Sequence, residues 1–81
     1  MNMSKEQLAE MLADEQATVS TITGDLYIQN ISGGVLAIIS EKQACMVNTQ
    51  YQEFARLRPA RRENISRIIF SYALQPIEKR K

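Results

Sequence analysis

Two glycine-marked breaks, Gly24-Asp25 and Ser32-Gly33-Gly34, cut the middle of this 81-residue chain into runs too short for stable helices. Thr18-Val19-Ser20-Thr21-Ile22-Thr23 is dominated by β-branched residues, which suit a pleated surface. Leu26 to Ile31 returns from the first break, and Val35 to Ser40 leaves the second. Links this short leave no room for a crossover, so consecutive strands must pair antiparallel. Gly24-Asp25 is the expected first hairpin loop, because Gly readily takes the positive φ that two-residue loops require. The unbroken apolar run Val35 to Ile39 predicts a central strand or one buried on both faces. Glu41-Lys42 is expected to turn the chain again, with Gln43 to Val47 as a fourth strand. Within that alternating run Cys45 reads as a small buried apolar residue.

Helical periodicity flanks this middle section. Ser4 and Gln7 have capping-box spacing, and Met3 and Leu8 the spacing of a hydrophobic staple. Leu8, Met11 and Leu12 then form an i, i+3, i+4 stripe over a helix from Ser4 to Asp14, read as core packing. After the strands, Asn48 or Thr49 can cap a short helix reaching about Leu57, with Tyr51, Phe54 and Leu57 at helical spacing. Pro59 disfavours helix at Arg58 and suits the first turn of a new helix, predicted to run to about Leu74. Ile65, Ile68, Ile69 and Tyr72 form its apolar stripe, and Glu63 can pair with Arg67 at i, i+4. Pro76 ends it, leaving residues 76–81 as a flexible tail. The predicted fold is α+β: an N-terminal helix, an antiparallel meander of three to four strands, then one broken or two consecutive C-terminal helices. The length allows one small domain, 1–81, with the helices on one face of the sheet. Its core is thin, about 3–5 kcal/mol, so a homodimer would be a natural supplement.

The residue inventory excludes much chemistry. There is no His and a single Cys, so His-dependent triads, disulfide frameworks and cysteine zinc sites within one chain are all ruled out. The acidic residues fall on a helix surface and in turns, without a spacing that suggests a metal site or a hydrolytic pair. No Gly-Lys-Ser/Thr follows any glycine, so there is no phosphate loop. The expectation is a non-enzyme without cofactor or metal. The longest apolar stretch has five residues against the roughly 20 of a spanning helix, and the N-terminus lacks the apolar core of a signal peptide. No membrane partner is expected, and the predicted location is the cytoplasm.

Charge is unevenly spread. Residues 1–48 carry Lys5 and Lys42 against six carboxylates, whereas residues 49–81 carry eight cations against Glu53, Glu63 and Glu78. One reading is an acidic first helix facing a basic last helix, within one chain or across a dimer; the other is a nucleic-acid face. The densest positive signal is Arg56-Leu57-Arg58-Pro59-Ala60-Arg61-Arg62, around a helix break. Guanidinium forks there could converge on a carboxylate or phosphate. Arg58, Arg61 and Arg62 are the candidate charged contacts, with Tyr51 and Tyr27 as candidate aromatic anchors.

The segment Ile65-Ser66-Arg67-Ile68-Ile69-Phe70-Ser71-Tyr72-Ala73-Leu74-Gln75-Pro76-Ile77-Glu78-Lys79-Arg80 resembles the ends of small phage and prophage proteins of Gram-positive bacteria. Those often close with an amphipathic helix, an aromatic residue, Thr-Pro-Leu/Ile and a charged tail; here Gln75 stands where Thr is usual. The resemblance implies an accessory protein that binds host machinery in the bacterial cytoplasm, including inhibitors of bacterial defence. The expected function is therefore modulation or inhibition of a host protein through a protein–protein interface. The alternative is a small DNA- or RNA-binding accessory protein using the basic region Arg56 to Arg67. The order helix, meander, helix is also that of double-stranded-RNA-binding domains. Their Gly-Pro-His loop and Lys-rich second helix are absent, so their RNA function is not carried over.

Overall fold

The computed structural model describes residues 3–80. Helix α1 spans Lys5–Ala13, strands β1 to β4 span Ala17–Ile22, Asp25–Asn30, Val35–Ser40 and Val47–Asn48, and helices α2 and α3 span Gln52–Ala55 and Pro59–Ala73. A short 3-10 turn, Ile77–Lys79, follows. The strands form one antiparallel sheet in the order β1-β2-β3-β4. This is the α+β architecture expected from the sequence, with an N-terminal helix, a four-stranded meander and two C-terminal helices. No helix among the described residues is long and apolar enough to cross a membrane.

Local chemistry accounts for the element boundaries. Ser4 Oγ accepts the Gln7 N–H while Gln7 Oε1 accepts the Ser4 N–H, completing the capping box that starts α1. Met3 packs on the core, where its staple partner Leu8 is fully buried. Met11, however, points outward; only Leu8 and Leu12 of the expected stripe are buried. Pro59 opens α3 in its first turn. Ile65, Ile69 and Tyr72 of α3 are fully buried, and Ile68 is partly so.

The hairpin loop lies one residue earlier than expected. Ile22 pairs with Asp25, so the loop is Thr23-Gly24, with φ of 52° and 84°. A type I′ loop needs positive φ at both positions. Gly24 adopts it freely, while Thr23 does so with its hydroxyl bonded to the Ile22 carbonyl at 2.7 Å. β3 is central, and a bulge explains its unbroken apolar run. Ile28 pairs with Ala37 but Gln29 pairs with Val35, so Leu36 is the extra residue. Both Leu36 and Ala37 are fully buried.

The fourth strand differs most from expectation. Gln43 to Met46 is not strand; it loops out, and only Val47–Asn48 pairs with β3. Cys45 sits at φ 68° with its N–H bonded to the Ala73 carbonyl at 2.7 Å. That bond holds the loop against the end of α3 and turns the thiol outward, so Cys45 is exposed and not a core residue. The short helix also starts later. Asn48 Oδ1 accepts the Gln50 N–H in a local turn, and Tyr51 is the N-cap without a side-chain bond.

Leu26 and Ile28 join Leu8, Leu12, Ile65, Ile69 and Tyr72 in one core, while Tyr27 and Gln29, which alternate with them, do not. All the helices therefore lie on one face of the sheet. The shortest dimension, 17 Å, fits one sheet and one helical layer. The opposite sheet face carries Thr18, Ser20, Ile22, Tyr27, Gln29 and Ile38, with no covering element among the described residues.

Candidate functional site

The arginines around the α2–α3 junction have three different fates, which their spacing did not distinguish. Arg61 projects from the first turn of α3 toward the end of α1. Its Nε and Nη2 both donate to the Glu15 carbonyl, at 3.0 and 2.6 Å, and Nη2 also reaches the Gln16 carbonyl and Asn30 Oδ1. Both carbonyls lie in the turn just past α1, near the negative end of its dipole, where a cation is favourable. Arg61 thus ties α1 to the β2–β3 turn; it is a clamp within the fold. Arg62 Nη1 donates to the Ala55 carbonyl at 3.0 Å, closing the end of α2 in the same way. Arg58 is exposed, and its guanidinium has no partner among the described residues.

Arg58 and Arg61 share a groove of about 410 Å³ with Gln16, Asn30, Glu53, Arg56 and Leu57. Arg56 contributes an exposed charge, 3.7 Å from Glu53. Gly34 makes the groove wall possible: a Cβ there would lie 2.7 Å from Glu53 Cγ, inside contact distance. The floor is Leu57, which is buried. The groove can therefore accept an anionic group from solvent at Arg58, beside a polar wall. The expected aromatic anchors do not line it. Tyr27 is half-buried on the opposite, uncovered face of the sheet, and Tyr51 is half-buried ahead of α2.

No ion pair joins the acidic first helix to the basic last helix among the described residues. The ion pairs found are Arg56 with Glu53, Arg67 with Glu63 at 3.1 Å, and Arg80 with Glu41 at 2.9 Å. The first two are exposed on helix surfaces and contribute little.

The third has no signal in the sequence. The segment expected as a flexible tail holds the 3-10 turn, then turns Arg80 inward until only 5% of the residue is exposed. Nη1 donates to the Ser40 carbonyl at 2.6 Å and to Glu41 Oε2, and Nη2 donates to the Ala73 carbonyl at 2.8 Å. The guanidinium also stacks 4.9 Å from the centre of the Tyr72 ring. The Tyr72 hydroxyl donates to both Glu41 oxygens, at 3.0 and 3.1 Å. Burial, reinforced by the carboxylate of Glu41, pushes the Tyr72 phenol well above its usual range, against an opposing pull from Arg80. Gln75, where the phage-like ending has Thr, accepts the Met3 N–H and donates to the Met3 carbonyl at 2.8 Å. It links the end of the chain to the start of α1.

No group of three or more His, Cys, Asp or Glu side chains is placed to hold a metal ion among the described residues. Compared with family models, curated proteins and solved structures, the chain finds no match.

Proposed function

We propose that this chain is a small non-enzymatic binding protein that engages a second protein by taking a carboxylate of that partner at the Arg58 groove. One observation carries this reading: Arg58 holds a guanidinium in the groove with no partner among the described residues, while its neighbours Arg61 and Arg62 are bonded to backbone carbonyls. An arginine fork matches a carboxylate with two parallel hydrogen bonds, and arginine is enriched among residues that dominate interface energetics. Together with the phage-like ending, the specific form of the proposal is a phage-type protein that modulates or inhibits a host protein, such as a component of bacterial defence. Arg58 takes the principal contact and Arg56 an auxiliary one. Arg61 shapes the groove.

The test is affinity capture from a nuclease-treated Gram-positive lysate, using the wild type and Arg58→Glu side by side. The expected result is one stoichiometric protein retained by the wild type and lost by the variant, with unchanged circular dichroism. Equal retention by both proteins removes the groove from the proposal. Capture that disappears with nuclease moves the function to nucleic acid. In that case binding to a generic duplex should weaken roughly 10³-fold between about 50 and 200 mM salt if several phosphates are contacted.

A further inference from the structure

The two edges of the sheet are unlike. β4 is two residues long, and short edge strands are one way proteins avoid pairing with other chains. β1 is six residues long, and its sequence Ala-Thr-Val-Ser-Thr-Ile contains no charge, no proline and no glycine. Its pairing with β2 runs without a bulge from Ala17 to Ile22. It therefore carries none of the usual protections of an exposed edge.

Which of its backbone groups face outward follows from the loop. In a two-residue hairpin the residues flanking the loop exchange both hydrogen bonds, so Ile22 bonds with Asp25. Alternation then points Ser20 and Thr18 toward β2 and leaves the N–H and C=O of Thr21, Val19 and Ala17 on the outer side. Asn30 agrees with this parity. It is the partner of Ala17, and its N–H is bonded to the Gly34 carbonyl at 2.7 Å, away from β1. Ala17 is buried at the end of α1, whereas Thr21 is exposed and Val19 half-buried.

We infer that β1 pairs antiparallel with β1 of a second copy of this chain, about a two-fold axis at Ser20, joining two four-stranded sheets into one. Val19 and Thr21 of one copy then face Thr21 and Val19 of the other, and these two pairs exchange four main-chain hydrogen bonds. On the uncovered face Ser20 meets Ser20 of the second copy. Thr18 lies opposite Ile22 of the second copy, which covers an isoleucine that is 41% exposed in the single chain. A symmetric contact places identical residues near its axis, so an uncharged strand is what self-pairing requires; a charge there would meet its own copy. Four hydrogen bonds, at one per 100–200 Å², correspond to an interface of about 400–800 Å². That is below the size of stable complexes, so the dimer is weak and concentration-dependent.

Sedimentation equilibrium of the full chain from about 1 µM to about 1 mM tests this range of weak affinities. The average mass should rise from monomer toward dimer. Ser20→Lys puts like charges directly opposite across the axis, and Thr21→Pro removes an outward N–H that β2 does not use. Each should weaken self-association at least about tenfold, a loss of about 1.4 kcal/mol. Thr21→Pro is read only if its circular dichroism matches the wild type; Ser20→Lys, which leaves the backbone donors in place, decides the matter otherwise. A constant monomer mass overturns the inference. So does a dimer that neither variant weakens, which would assign the contact to another surface such as exposed Phe70 of α3 and Leu74 just past its end.

Discussion

The guanidinium of Arg80 lies beneath the surface between β3 and the end of α3, whereas that of Arg58 stands in solvent at the start of α3. Both belong to the basic second half of the chain. Arg80 lies in a short charged ending without special spacing, and Arg58 lies in a dense cluster. Arg80 has three hydrogen-bond acceptors and an aromatic ring around it; Arg58 has none among the described residues. The difference lies in what the surrounding backbone leaves unsatisfied. The Ala73 carbonyl ends α3 and the Ser40 carbonyl ends β3, and both need donors in a place water reaches poorly. At Arg58 the helix presents N–H groups instead of carbonyls, so a guanidinium there finds no internal acceptor. Arg80 is thus drawn inward by open carbonyls, and Arg58 is left free. Arg61 and Arg62, on the first turn of α3, reach instead to carbonyls just past α1 and at the end of α2.

This contrast predicts an ordering of stability effects. Arg80→Met should have the largest. It takes one donor each from Glu41, Ser40 and Ala73, of which Glu41 keeps the Tyr72 hydroxyl and Ala73 the Cys45 N–H, and because Glu41 also retains some access to water the loss should be about 3 kcal/mol. In a domain of this size that lowers the melting temperature by more than about 10 °C in a thermal scan. A variant that melts with the wild type would mean that the ending of the chain does not hold the fold. Arg61→Ala comes next. Hydrogen bonds to a charged group are worth about 1.5–3 kcal/mol, and urea titration should place this variant in that range.

The alkaline limb of stability provides a third measurement. The folded Tyr72 phenol titrates above its unfolded value, so its contribution is complete below about pH 10 and is lost as pH rises toward the folded value. Above pH 10 the unfolded chain releases this proton while the folded chain keeps it. Unfolding should therefore become easier by about 1 kcal/mol per pH unit. Tyr72→Phe should remove that increment, seen as a shallower loss of stability between pH 10 and 11 than in the wild type. An identical slope would show that the hydroxyl is not held against Glu41. Arg58→Glu should have the smallest effect on stability, within about 0.5 kcal/mol, while abolishing capture of the proposed partner. If it unfolds the protein, Arg58 belongs with Arg80 and the contrast between them collapses.

How far the fold could be read from sequence depended on the range of each interaction. The start of α1 was legible because Ser4 and Gln7 satisfy each other three residues apart. Pro59 marked the start of α3, and Val35 to Ser40 gave the bounds of β3 to the residue, because proline fixes the backbone locally and glycine frees it to turn. The hairpin loop was misplaced by one residue, since Thr23 can be held at positive φ when strand pairing supplies the compensation. The fourth strand failed for a longer-range reason. Gln43 to Val47 alternates acceptably, but the Cys45 N–H is bonded to a carbonyl of α3, which removes it from the ladder.

The sequence by itself determined the order of elements, the antiparallel meander, the starts of α1 and α3 and most of the core. These depend on periodicity and on backbone preferences expressed within a few residues. Only the tertiary structure decided which arginines are part of the fold and which are free. Arg61 and Arg80 find acceptors 46 and 40 residues away in the chain. It likewise exposed Cys45 and left β1, but not β4, as a long open edge. Each of these outcomes depends on backbone groups left unpaired by elements distant in sequence, and local spacing does not encode where those groups come to lie.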